Sequence, residues 1–515
     1  MKYSSTRGQV RDLGFVDAVL SGLADDGGLF VPDSVPQISP DEYRSWEQLA
    51  FPKLAFQIMR KYIDPAEIPD VDLHALVDKS YAPHLWGGPD CTPVKKSGRV
   101  HILELWHGPT LAFKDVALQF LGNLFDYVLE KRDRRMVIIG ATSGDTGGAA
   151  IYGVRGKERV DCVILYPEGK TSKIQELQMA TVEDANIQCI AVEGNFDDCQ
   201  NIVKSCFNDA DLKKSLGLGA VNSINWARIL AQIVYYIDAC YKVGATKEKP
   251  AVFSVPTGNF GDILAGYYAK AMGAPIGQLI IGSNSNDILP RFFNTGAYKC
   301  TSVASTMSPS MDIQISSNFE RFLHDVFKRD ASVTKKKMQD LKQFGVFEVS
   351  REQLRDCRKH FSAYGVDEEQ TQRTIAQVWR ETSELLCPHT AVGYNAAQQF
   401  LKTNTPSGPV VVLATAHFGK FVELMEPAFK ASIEKDPSLA PIMKAMEDEM
   451  PQVLKNLRNK QLRKELMPAS DAQIKRYLRR RFGRWTVKEA APYAVVAAAV
   501  AAGAFLLWKR SAKSS

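Results

Sequence analysis

From position 100 onward the chain carries a succession of short, β-rich apolar runs, at 100–105, 136–139, 160–166, 187–192, 251–255, 278–281 and 409–414, separated by helical patterns. Several of these runs do not alternate apolar with polar residues, as parallel strands buried on both faces do not. Between them, repeats such as Val116, Phe120, Leu124 and Val128 recur every fourth residue and gather on one helical face. Right-handed crossovers then lead to an α/β fold built on a doubly wound parallel sheet.

The strand-to-helix junctions carry the chemistry. The run 136–139 passes into Gly140-Ala141-Thr142-Ser143-Gly144-Asp145-Thr146-Gly147-Gly148 before a helix resumes. Glycines permit close backbone approach, helix-start amides point outward, and the hydroxyls of Thr142, Ser143 and Thr146 add donors, so the loop suits a carboxylate or phosphate. The run 251–255 leads into a second loop of this kind, Pro256-Thr257-Gly258-Asn259-Phe260-Gly261-Asp262. The run 409–414 ends on Thr415, a neutral hydroxyl at a strand terminus, suited to a ring nitrogen. A single primary amine, Lys114, follows Leu111-Ala112-Phe113 at another helix start, where desolvation disfavours the ammonium and leaves an amine able to hold pyridoxal phosphate as a Schiff base. Alone, Lys114 reads as a snorkelling lysine and each loop as a tight turn; their co-occurrence favours a cofactor phosphate plus an acidic substrate.

Composition narrows the alternatives. With 515 residues and 45% hydrophobic content the chain can build roughly two to four domains with a real core. Its net charge of +6 is concentrated near the C-terminus, in Lys475, Arg476, Arg479, Arg480, Arg481 and Arg484. No basic stripe with interleaved aromatics lies elsewhere, so nucleic acid is not an expected partner. Nine scattered cysteines without a C-x-x-C pair suit a reducing compartment, and eight histidines without ligand spacing give no metal site. The N-terminus shows no apolar export signal, consistent with a cytoplasmic body. Residues 1–90 read as a separate helical layer, 332–386 as a charged helical insertion in a core spanning 91–430, and 431–485 as a helical segment.

The stretch from Leu105 through Asp115, the Ala141–Gly147 loop, Gly258-Asn259-Phe260-Gly261-Asp262, Ser308-Pro309-Ser310-Met311-Asp312, Pro388-His389-Thr390-Ala391-Val392-Gly393 and the opening Asp26-Gly27-Gly28-Leu29-Phe30-Val31-Pro32 together closely resemble threonine synthase in its long fungal and enterobacterial-like form. The resemblance covers about residues 1–430. It implies the type II pyridoxal phosphate fold, with two doubly wound sheet subdomains, and conversion of O-phospho-L-homoserine and water into L-threonine and phosphate. It further implies that Lys114 holds the cofactor covalently, that Gly258, Asn259, Phe260, Gly261 and Asp262 hold its phosphate, and that Thr415 faces the pyridine nitrogen. Asp145 would then lie near the phenolic oxygen, with Thr142, Ser143 and Thr146 near the substrate's acidic groups. Two positions depart from the family pattern: Phe418-Gly419 stands where Pro-Ala is usual, ahead of the retained Lys420, and Cys387 where an acidic residue is common. Alternatives are a related phospho-lyase that releases 2-oxobutyrate, and a membrane-tethered interaction protein that has lost catalysis.

Residues 490–508 contain no charge; as a helix at roughly 1.5 Å per residue they would extend about 28 Å, close to the thickness of a bilayer core. Lys488 and Lys509-Arg510 flank them, with Tyr493 and Trp508 near the ends. The expectation is an apolar C-terminal helix within 486–515 that tail-anchors a cytosol-facing enzyme to an organelle membrane; its alanine-rich composition also suits a self-associating helix.

Overall fold

The computed structural model describes residues 1–142 and 144–483. All seven anticipated runs are strands, and they divide between two sheets. The larger sheet has the order Phe361–Gly365, Ile276–Ser283, Ala251–Pro256, Val410–Ala414, Val100–Glu104 and Val94–Ser97. Its strands are parallel except Val94–Ser97, which turns back on Val100–Glu104. The smaller sheet, ordered Glu465–Pro468, Ile187–Glu193, Val160–Pro167, Met136–Ala141 and Leu218–Gly219, is parallel throughout. The central strands are wholly apolar inside, as residues 410–414 illustrate, because helices cover both faces.

Two helices connect the sheets at the functional face. One spans Lys114–Lys131 and the other Asp145–Val154, and they cross with their backbones in contact. A Cβ on Gly122 would lie 1.9 Å from the Gly153 carbonyl oxygen, and one on Gly153 would lie 2.4 Å from that of Leu118. No side chain fits in this crossing, so glycine sets the separation of the two helix starts.

Three segments differ from the sequence reading. The N-terminal layer contains the expected helices, Phe15–Ser21, Pro40–Trp46, Phe51–Arg60 and Asp70–Ser80, but also an antiparallel pair, Tyr3–Ser5 with Phe30–Pro32. It docks through Glu320, which accepts from Thr6 Oγ1 at 2.6 Å and pairs with Arg7 at 2.8 Å. The 332–386 region is not purely helical: Val346–Glu348 pairs with Ala297–Lys299, and Phe361–Gly365 is the edge strand of the larger sheet. An edge strand needs only one apolar face, and its three middle residues are only half-buried, so continuous hydrophobicity could not reveal it. The 431–485 segment likewise holds a strand, Glu465–Pro468, whose side chains are mostly exposed. The anticipated apolar helix at 490–508 lies outside the described residues, and among those described no helix is long and apolar enough to cross a membrane.

Candidate active site

Strands Val100–Glu104, Val410–Ala414 and Ala251–Pro256 are neighbours in the larger sheet, so the loops leaving their carboxyl ends meet. The first two loops are bonded to each other: Phe113 N–H donates to the Thr415 carbonyl at 2.8 Å, His417 N–H to that of Leu111 at 3.1 Å, and Ala112 bridges Ala416. Lys114 and Thr415 are thereby fixed side by side. The lysine loop is held from within by Asp115, whose carboxylate accepts from the Thr110 amide at 2.8 Å and hydroxyl at 2.7 Å. Leu111 takes a left-handed φ of 58°, a conformation that costs energy in a branched residue and recurs at functional sites.

Lys114 is 8% exposed, with its ammonium over the Phe113 ring at 4.7 Å and 3.5 Å from Asp145 Oδ2. Burial lowers the pKa of its amine, and the cations Arg228 and Lys420 lower it further, against the opposing pull of Asp145. Asp145 is the meeting point of the site. Its Oδ1 forms an ion pair with Lys420 Nζ at 3.1 Å and accepts from Gln175 Nε2 at 2.9 Å, while Oδ2 faces Lys114 and the Ser310 hydroxyl, each at 3.5 Å. Burial pushes this carboxyl up, but the lysines beside it, Lys420 foremost, outweigh burial and hold the group well below the usual carboxylate range.

The Gly140–Gly148 loop is ordered by Thr142, whose hydroxyl oxygen accepts from the amides of Gly144 at 3.0 Å and Gly147 at 2.9 Å. Thr142 therefore caps the helix Asp145–Val154, a use that the substrate-donor assignment did not anticipate. Thr146 lies in that helix's first turn, and Ser143 lies outside the described residues.

The Gly258–Asp262 loop begins the helix Gly261–Ala271 with its carbonyls tied away: the Gly258 oxygen accepts from Ser316 Oγ at 2.6 Å and the Asn259 oxygen from the Asn318 amide at 3.0 Å. No described residue accepts from the amides of Gly258, Asn259, Phe260 or Gly261, which leaves a ring of donors at a helix N-terminus. A Cβ on Gly258 would come within 2.9 Å of the Ser310 carbonyl. Phe260 adopts φ 62°, and its ring is buried against Phe319 and Phe361. The Asp262 side chain turns inward, accepting from Tyr235 at 2.5 Å and Tyr236 at 2.9 Å, so it anchors the helix start and does not line the cradle.

Five buried residues belong to this site that residue typing alone did not single out. Lys420 is fully buried, donates to the Thr110 carbonyl at 2.6 Å and forms an ion pair with Asp145. Gln175 and Gln178, on the helix Lys173–Ala180, reach Asp145 and the Thr110 carbonyl. Arg228 is 3% exposed; its Nη1 donates to Val221 O while its Nε has no partner among the described residues. His389 accepts at Nε2 from the Ser310 amide at 3.2 Å, which places its proton on Nδ1, and that atom has no described partner. Burial pushes the His389 ring down to about 3, so it is neutral at physiological pH. His389, Ser310 and Lys420 all lie in motifs quoted from the sequence; only their convergence was hidden.

Family models match nearly the whole described chain: threonine synthase N terminus over residues 2–81, pyridoxal-phosphate dependent enzyme over 90–416, and threonine synthase C-terminal over 390–478. The threonine synthase of Pseudomonas aeruginosa is 47% identical over 440 residues, covering 85% of this chain and 92% of the relative. The chain belongs to the threonine synthase family of pyridoxal-phosphate-dependent enzymes. The Saccharomyces cerevisiae threonine synthase is 44% identical, covering 84% of this chain and 91% of its own. Among solved structures, the PLP-bound threonine synthase from Brucella melitensis superposes with a TM-score of 0.86 at 42% identity, covering 94% of this chain and 99% of that one. The threonine synthase from Escherichia coli gives 0.75 at 32% identity, covering 93% and 100%. The type II threonine synthase architecture is therefore the fold of this chain.

Proposed function

We propose that this chain converts O-phospho-L-homoserine and water into L-threonine and phosphate, using pyridoxal phosphate. The observation that carries this reading is the buried Lys114 amine opposite Asp145, within a frame where one glycine loop presents unused amides. The cradle of Gly258, Asn259, Phe260 and Gly261 suits the cofactor's phosphate: its donors are backbone amides at a helix start, and glycine keeps Cβ atoms out of it. Asp262 supports the cradle from behind through Tyr235 and Tyr236. Thr415, whose side chain has no hydrogen-bond partner among the described residues, offers a neutral hydroxyl to the ring nitrogen.

When bound, the cofactor's conjugated ring supplies an electron sink at the substrate's α-carbon. Lys114 would hold it through the aldehyde carbon, and the same amine would move protons at the substrate's α-carbon and its neighbours. Arg228 and His389 bring spare buried donors for the substrate's anionic groups, alongside the helix-start amides at Thr146. Loss of the γ-phosphate and addition of water at the β-carbon then balance to threonine and phosphate.

Lys114→Ala is expected to abolish both turnover and the cofactor's visible absorbance in the purified protein. Full activity in that variant would end the proposal, and 2-oxobutyrate in place of threonine as the product would favour the phospho-lyase alternative.

We further propose that residues 490–508 tether the enzyme body to an organelle membrane from the cytosolic side. Supporting this are their charge-free composition and the basic residues before them, Arg476, Arg480 and Arg481, on the surface of the helix Asp471–Phe482. Alkaline carbonate extraction of full-length protein from cells tests it: release into the supernatant refutes insertion.

A further inference from the structure

Asp145 is shared by two buried lysines, and its two oxygens are used unequally. Oδ1 is occupied by Lys420 at 3.1 Å and by the Gln175 amide at 2.9 Å, whereas Oδ2 faces Lys114 at 3.5 Å and the Ser310 hydroxyl at 3.5 Å. Lys420 is the more firmly seated of the two cations. Its side chain is 0% exposed, and beside the ion pair a hydrogen bond, at 2.6 Å to the Thr110 carbonyl, ties it to the loop that ends in Lys114.

We propose that Lys420 is a positioning residue that acts as the resident counter-ion of Asp145 and so keeps the Lys114 amine free of its proton and ready to bond the cofactor. The inference rests on the reading that Lys114 is the cofactor-bearing residue. One carboxylate can neutralise one ammonium. With Lys420 already paired to Asp145, protonating Lys114 adds an uncompensated cation to a water-poor site, which burial opposes. Without Lys420, the same carboxylate would pair with Lys114 alone and hold it as an unreactive ammonium.

The other charged or titratable groups around Lys114 do not replace this arrangement. Arg228, on the helix Trp226–Lys242, adds a further positive charge. His389, at the start of the helix Pro388–Thr403, is neutral, and the nearby Cys387 thiol is pushed up by burial. Asp262 and Asp115 are the remaining carboxyls: Thr110 engages both oxygens of Asp115, Tyr235 and Tyr236 engage Oδ1 of Asp262, and among the described residues the ion pair of Lys114 is with Asp145 and with neither of these.

The test uses apoenzyme. Pyridoxal phosphate is added across a pH series, the linkage is fixed at intervals with borohydride, and the rate of incorporation at Lys114 is followed by peptide mass mapping. In Lys420→Met the pH midpoint of this rate should rise by about one unit or more, with roughly tenfold slower incorporation near neutrality. Lys420→Arg, which keeps the charge, should restore the wild-type midpoint. A folded Lys420→Met protein with the wild-type profile overturns the proposal, even if its melting temperature falls through the lost Thr110 contact. Should that variant not fold, Asp145→Asn decides: its midpoint falls if the carboxylate and two lysines form one charge system, and an unchanged midpoint overturns the idea. Absence of labelling at Lys114 in the wild type would instead refute the cofactor reading itself.

Discussion

Asp262 and Asp115 each sit beside a ligand loop, yet both serve the scaffold. Their carboxyls accept from hydroxyl or amide donors inside the protein, Asp262 through Oδ1 alone, and burial pushes both up to about 6. A carboxyl with a raised folded-state pKa is bound to its proton more tightly in the folded chain, so its contribution to stability is complete below the unfolded value near 3.8 and is lost as pH rises through 6. For Asp262 that loss amounts to about 3 kcal/mol. Asp262→Asn should therefore flatten part of the fall in melting temperature between pH 4 and 6, and scanning calorimetry across that range checks it. The direction in which Asp262 points was hidden in the sequence: the Gly258–Asp262 motif announces a cradle, but the tyrosines that turn this side chain inward come from a helix about 26 positions away. Lys114 was legible because its apolar neighbours and its helix start are local. Lys420 and Asp145, 275 positions apart, become partners only when two strand ends meet.

At the level of elements, the separation between Lys114 and Asp145 is set by the glycine crossing of the helices they begin. Gly122→Ala would force a methyl onto the Gly153 carbonyl, displacing one helix; we expect a loss of roughly 1–3 kcal/mol and weaker cofactor retention, seen as earlier melting and a higher pyridoxal phosphate requirement. Gly144 makes a similar demand at the loop. Its φ of 147° is a conformation that side chains rarely adopt, and a Cβ would lie 2.3 Å from Gln175 Cδ. Gly144→Ala should therefore disturb the Gln175 bond to Asp145 and lower kcat at least several-fold, measured by threonine formation at saturating substrate. The interior strands could be read from their continuous apolar runs, which two-sided burial requires. The edge strands Phe361–Gly365 and Glu465–Pro468 could not, because one open side removes that requirement and leaves pairing to the backbone.

For the molecule as a whole, the C-terminal segment closes the smaller sheet and braces the site from outside. Lys464 bonds Glu168 at 2.7 Å and Glu176 at 2.7 Å, and the Arg463 amide donates to the Ala180 carbonyl at 2.6 Å. These contacts clamp the helix Lys173–Ala180, whose other face delivers Gln175 and Gln178 to Asp145 and Thr110. Removing residues 465–483 should uncover the apolar strand Ile187–Glu193 as a free edge and drive self-association, visible as light scattering and loss of the monodisperse peak in size-exclusion chromatography. Glu465 pairs with Ile190, so the sheet's final strand is made long after the strand that receives it. At roughly 5–20 residues per second, a ribosome takes on the order of 10–60 s to bridge that gap. Throughout that interval a nascent chain would hold an open β-edge, an obvious client for whatever chaperones wait at the exit tunnel.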